Sequence, residues 1–134
     1  MTESAIEYLT LDDLARIAAR TVAPAQLRVR DLGALAAAAD RPRTIVFGDD
    51  AYPTLALKAS ALLHSIVRNH PLVDGDKRLG WVAARAFCAI NGHDLRITSV
   101  DDAEGFVIAV ARGEMDVESA AAQIAAGLRP RPNT

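Results

Sequence analysis

Aromatic residues are scarce in this chain of 134 residues, at 4%, and cysteine occurs once. Neither sign of charge prevails, since 15 lysines and arginines face 17 aspartates and glutamates for a net charge of -2. The charge balance gives no general attraction to nucleic acid or to an acidic membrane surface, so no direct nucleic-acid partner is expected. The lone Cys88 excludes an internal disulfide, and its apolar helical setting reads as a buried, inert thiol suited to a reducing cytoplasm. No stretch reaches the roughly 20 apolar residues that a bilayer crossing needs. The opening MTESAIEYLTLDD carries acids where a secretory signal carries lysines, and no apolar segment follows. A cytoplasmic protein with no membrane partner is the expectation.

What the chain does have is 51% hydrophobic residues, much of it alanine. Small side chains favour closely approaching helices over mixed sheets, and the length suits one core, so a single all-α domain over 1–134 is expected. Thr10 is placed to cap a helix over about 11–22, with Asp12 and Asp13 in its positive first turn. A second helix follows Asp31 through Leu32 and Leu35 to Ala39 and ends at Arg41 and Pro42. From Arg41 to Tyr52 the helical period is lost, and Pro42, Gly48 and the run Thr44 to Phe47 predict a loop or small hairpin.

Pro53 suits the first turn of a strongly apolar, central helix that runs to about Asn69, where Pro71 blocks continuation and biases His70 away from helical geometry. Another apolar helix begins near Asp76 and stops at Asn91-Gly92. His93 to Thr98 reads as a short extended link, Ser99 as the cap of a helix over 100–112, and Asp116 as the start of a last helix to about Leu128. The tail 129–134, RPRPNT, is expected to fray. The sum is a bundle of about six helices with the loop HPLVDG joining the two central ones.

Polar chemistry is concentrated in that loop and the helix start after it: His70, Asp74, Gly75, Asp76, Lys77 and Arg78. A glycine turn opening directly into a helix leaves the first backbone N–H groups free, a geometry that holds phosphate. Lys77 and Arg78 sit where the helix dipole disfavours cations, which points to a bound anion that compensates. Arg78 offers a fork of donors and Lys77 a compact charge. Asp74 is suited to a hard cation such as Mg²⁺ that bridges phosphates, and His70 to taking a proton near neutral pH. Taken singly, each residue has a plain reading as a turn or a solvated face. Their occurrence in one unbroken run between two apolar helices is what argues for a site.

The run His70-Pro71-Leu72-Val73-Asp74-Gly75-Asp76-Lys77-Arg78 resembles the Fic/Doc motif, H-x-F-x-(D/E)-(G/A)-N-(G/K)-R. The segments YLTLDDLARI, ALLHSIVRNHPLVDGDKR and AFCAINGHDL resemble the Doc branch of that family, so the likeness extends over most of the chain. The resemblance implies a catalytic His70, Asp74 as the Mg²⁺ ligand, and Gly75, Asp76, Lys77 and Arg78 as the residues that bind ATP. Lysine at position 77, where adenylyl-transferring Fic domains have glycine, implies that the γ-phosphate faces the target hydroxyl. The implied protein is a toxin of a toxin-antitoxin system: a kinase that phosphorylates a Ser or Thr of elongation factor Tu, blocks translation and is inhibited by a Phd-like antitoxin.

Two positions depart from the motif. Leu72 replaces the Phe that anchors the loop in the core, a mild change. Asp76 replaces Asn, and a carboxylate in an anion pocket loses the amide donor and repels phosphates, which implies weakened activity. As the first residue of a helix, however, aspartate is favourable for stability. Two rival readings stand beside the kinase: a Fic-type protein adenylyltransferase, and a catalytically weakened module that binds an antitoxin. A metal site built from His64, His70 and His93 is a much weaker reading, because His64 lies in an apolar helical stretch.

Overall fold

The computed structural model describes residues 5–25 and 27–132. Among them it contains six α-helices: α1 (Leu11–Thr21), α2 (Leu32–Asp40), α3 (Leu55–Asn69), α4 (Asp76–Ile90), α5 (Val100–Ala111) and α6 (Val117–Gly127). Between α2 and α3 lie a 3₁₀ turn, Arg41–Arg43, and an antiparallel hairpin of β1 (Ile45–Val46) and β2 (Asp49–Asp50). A second two-stranded sheet pairs β3 (His93–Leu95) with β4 (Leu128–Pro130). No described helix is long and apolar enough to cross a membrane.

Local sequence chemistry sets most helix starts. Thr10 and Asp13 cap α1 reciprocally, since the Asp13 N–H donates to the Thr10 hydroxyl and the Thr10 N–H to the Asp13 carboxylate. Asp31, Ser99 and Asp116 cap α2, α5 and α6. Pro53 stands outside α3 and not in its first turn. Thr54 caps that helix instead, its hydroxyl accepting the Leu57 N–H at 3.1 Å, an office proline has no side-chain acceptor to perform.

Helix α3 is the axis of the molecule, buried on nearly every face and packed against α2, α4, α5 and α6. Leu62, Leu63, Ile66 and Val67 form the centre of a core that extends from Leu9 to Ile124. The approach of α4 requires Gly80, because a Cβ there would lie 2.7 Å from Val67 and 2.9 Å from Leu63. Buried Lys58 ties the hairpin down, with Nζ donating to the Pro42 carbonyl at 3.2 Å and lying 3.5 Å from the Asp50 carboxylate.

The segment expected to fray from residue 129 is instead anchored at its start. Arg129 and Pro130 lie in β4, opposite Asp94 and His93. Beyond the strand, the Arg131 N–H donates to the Gly92 carbonyl, and its guanidinium lies 3.2 Å from the Asp94 carboxylate. The pairing joins segments more than 30 residues apart, so nothing in the composition of the tail announces it.

Candidate functional site

Helix α3 ends at His70, which adopts left-handed geometry with φ of 51°. Pro71 disfavours helical geometry at the residue before it, and a non-glycine residue held in the left-handed region carries strain that its surroundings must support. Here they do. The His70 N–H donates to Ile66, and the His70 carbonyl accepts Nε of Arg30 at 2.8 Å. A second arm of the same guanidinium reaches the Asn69 carbonyl at 2.9 Å. The Pro71 carbonyl accepts the N–H groups of Arg30 and Asp31, while the Val73 N–H donates to Arg28. Segment 28–31 thus runs beside the loop like a short strand and fixes its backbone. Leu72, the stand-in for the motif Phe, is 1% exposed and fills the core beneath.

The turn into α4 is made by Gly75, with φ of 97°, and an added Cβ would come within 2.7 Å of Val22. Both the conformation and the space demand glycine at this point. No side chain caps α4, and the first hydrogen bond of its ladder is Leu79 N–H to the Gly75 carbonyl. The N–H groups of Asp76, Lys77 and Arg78 therefore have no intrahelical partner. Lys77 and Arg78 are exposed, and Nη1 of Arg78 lies 3.4 Å from the Thr21 carbonyl at the end of α1.

A cavity of about 760 Å³ opens at this turn, between the end of α1, the outer face of α4 and α5. Asp74, Gly75, Lys77 and Arg78 line one end of it, and Trp81, Ile97, Val107 and Ile108 give it apolar walls. Arg85 and Arg96 add two cations, and Glu104 one carboxylate. Four of the six residues singled out in the sequence thus share one cavity. The other two, His70 and Asp76, do not line it.

Those two face each other. His70 has a side chain 60% exposed, and its Nδ1 lies 3.4 Å from Oδ2 of Asp76. Asp76 is buried, and its Oδ1 accepts the Leu72 N–H at 2.9 Å. The carboxylate that was expected in the anion pocket is therefore turned inward, to the loop backbone and the imidazole. The unmade hydrogen bond of a buried Leu72 N–H supplies the physical reason, because leaving such a donor unpaired costs roughly 1–3 kcal/mol.

Sequence reasoning missed Arg30, Arg85 and Arg96. Arg85 was within reach, since it lies two helical turns after Arg78 on the same face of α4. Arg30 and Arg96 carry no local signal. The three histidines do not converge, and no cluster of three His, Cys, Asp or Glu suited to a metal occurs among the described residues. His64 is half-buried; burial first, then the charge of Arg41, holds its pKa below the usual imidazole range. Burial pushes the Cys88 thiol up to about 12, which makes it inert.

The family model described as "Fic/DOC family" matches residues 8–88, a stretch that holds the whole loop. A protein of Mycolicibacterium smegmatis named Toxin Doc is 47% identical over 121 residues, covering 89% of this chain and 92% of that protein.

Proposed function

The chain belongs to the Fic/DOC family, and on that premise we propose that it is a Doc-type toxin that transfers the γ-phosphoryl group of ATP to a serine or threonine of a protein. The observation that carries the reading is the convergence of Asp74, Gly75, Lys77 and Arg78 on one cavity, at a helix N-terminus that no side chain closes. Free N–H groups, a glycine that admits close approach and two cations suit a polyphosphate, and the apolar walls suit the rest of a nucleotide.

Asp74 fits the role of magnesium ligand. Its exposed carboxylate lines the cavity and takes part in no ion pair among the described residues. Magnesium in such sites is held by one or two carboxylates together with phosphates and water, so a cage of several protein ligands is not required. When bound, the ion supplies charge neutralisation across the phosphate oxygens. Lys77 and Arg78 stabilise the charge that develops on the transferred group. His70 accepts the proton of the target hydroxyl as its oxygen bonds to the γ-phosphorus, and the bond to the β,γ-bridging oxygen breaks to release ADP. Lys77 favours phosphoryl over adenylyl transfer by the family resemblance. Elongation factor Tu is the proposed substrate, and a Phd-like antitoxin the proposed inhibitor.

The test is incubation of the purified chain with ATP, Mg²⁺ and elongation factor Tu, followed by mass spectrometry of the target. Phosphate on a Ser or Thr, absent with His70→Ala, is the expected result. A target that gains AMP and no phosphate replaces the kinase by an adenylyltransferase. If neither modification forms and His70→Ala still arrests growth, catalysis is not the source of toxicity, and an antitoxin-binding module takes its place.

A further inference from the structure

Asp76 is the one motif position at which this chain departs from the family in chemical kind, and its carboxylate has two separate engagements. Oδ1 accepts the Leu72 N–H at 2.9 Å, and Oδ2 stands 3.4 Å from Nδ1 of His70. The first engagement prevents the second from being incidental. A buried carboxylate held by a backbone N–H cannot turn away from the imidazole without abandoning that donor. The backbone from which the imidazole projects is fixed as well, since the left-handed His70 is bonded through its N–H to Ile66 and through its carbonyl to Arg30.

We propose that Asp76 is the positioning residue of His70, holding the imidazole in the tautomer that carries its proton on Nδ1 and leaves Nε2 bare. An ionised carboxylate offers only acceptors, and a neutral imidazole has one protonated and one bare nitrogen. A bare Nδ1 would set its lone pair against the carboxylate oxygen, whereas Nδ1–H is attracted to it. Nε2 is then the nitrogen free to take a proton, on a side chain that is 60% exposed. The same division of labour, a carboxylate that orients and a histidine that accepts, serves catalytic triads.

An asparagine at position 76 acts in the opposite sense. Its single oxygen would keep the Leu72 N–H, which leaves the NH₂ group toward Nδ1 and favours the proton on Nε2. Asp76 is therefore more than an impaired asparagine: it selects a tautomer. The catalytic meaning of that selection rests on the reading of His70 as the base, but the tautomer itself does not.

Long-range ¹H–¹⁵N correlation spectra of the ¹⁵N-labelled full chain, without nucleotide or target, read the tautomer of each histidine directly. In alkaline buffer, His70 is expected as the Nδ1–H form. In Asp76→Asn it is expected to shift toward Nε2–H, with the signals of His64 and His93 unmoved. A His70 that is Nε2–H in the unsubstituted chain overturns the proposal whatever the variant does. So does an Nδ1–H form that persists unchanged in Asp76→Asn. Failure of phosphoryl transfer bears on the proposed function and leaves these spectra untouched, so the two ideas fail separately.

Discussion

Five of the six described helices begin with a side chain folded back onto their own first turn, and the sixth does not. Thr10, Asp31, Thr54, Ser99 and Asp116 each accept a backbone N–H at the start of α1, α2, α3, α5 and α6, while α4 starts from Gly75, which has nothing to offer. A first-turn carboxylate is present at α4 too, but Asp76 spends it on Leu72 and His70. The closed ends serve stability: at each, a side chain satisfies one of the orphan donors of the first turn. The open end serves binding. Its free donors and its misplaced cations, Lys77 and Arg78, are unfavourable for the helix alone and become favourable when an anion arrives.

The sharpest break in this comparison is expected at His70. His70→Ala should lower phosphoryl transfer by about 10²–10⁴-fold, the usual worth of a general base, while ATP binding at the open end persists; transfer kinetics set beside calorimetric titration would show the separation. Next in size is Gly75→Ala, which meets Val22 and forces alanine into left-handed geometry. A loss of about 1–3 kcal/mol in urea unfolding is expected, the common range for such strain. Removing a cap at a closed end should cost less. Thr54→Ala is expected to lose about 1 kcal/mol of stability and to leave ATP affinity unaltered, since it acts on α3 and not on the cavity.

The smallest effect is titration of two closed ends. Asp13 is held below its ordinary value of 3.8 by the backbone N–H of Thr10 and then by its hydroxyl, and Asp116 by the backbone N–H and then the side chain of Ser119. Because the folded values are the lower ones, the stabilisation is present above 3.8 and is lost as pH falls through the folded values. Both groups are solvent-exposed, so the loss should be slight. Thermal melts between pH 5 and about 2.5, with Asp13→Asn and Asp116→Asn flattening the decline, would measure it.

Much of this architecture could be read from the chain because it is local. The caps Thr10, Ser99 and Asp116, the stop at Asn91-Gly92, and the buried character of α3 all follow from residues a few positions apart. The site loop was legible for the same reason, since His70 to Arg78 are contiguous. Features that depend on distant segments were not. Arg30 lies 40 residues from the His70 carbonyl it holds, and β4 finds its partner strand across α5 and α6. Asp76 was misplaced for a different reason. Its type and position were evident, but which of two nearby demands its carboxylate answers, the open cavity or the buried Leu72 N–H, depends on the shape of the folded loop.

Backbone amide spectra recorded during titration with ATP and Mg²⁺ test most directly whether the open end of α4 is an anion site. The amides of Asp76, Lys77 and Arg78 are expected to shift together and saturate, while the first-turn amides of α1, α2, α3 and α6, whose capped ends do not line the cavity, stay in place. If the α4 amides do not move, or move no more than those at these four ends, α4 does not hold the phosphates and the comparison loses its functional meaning.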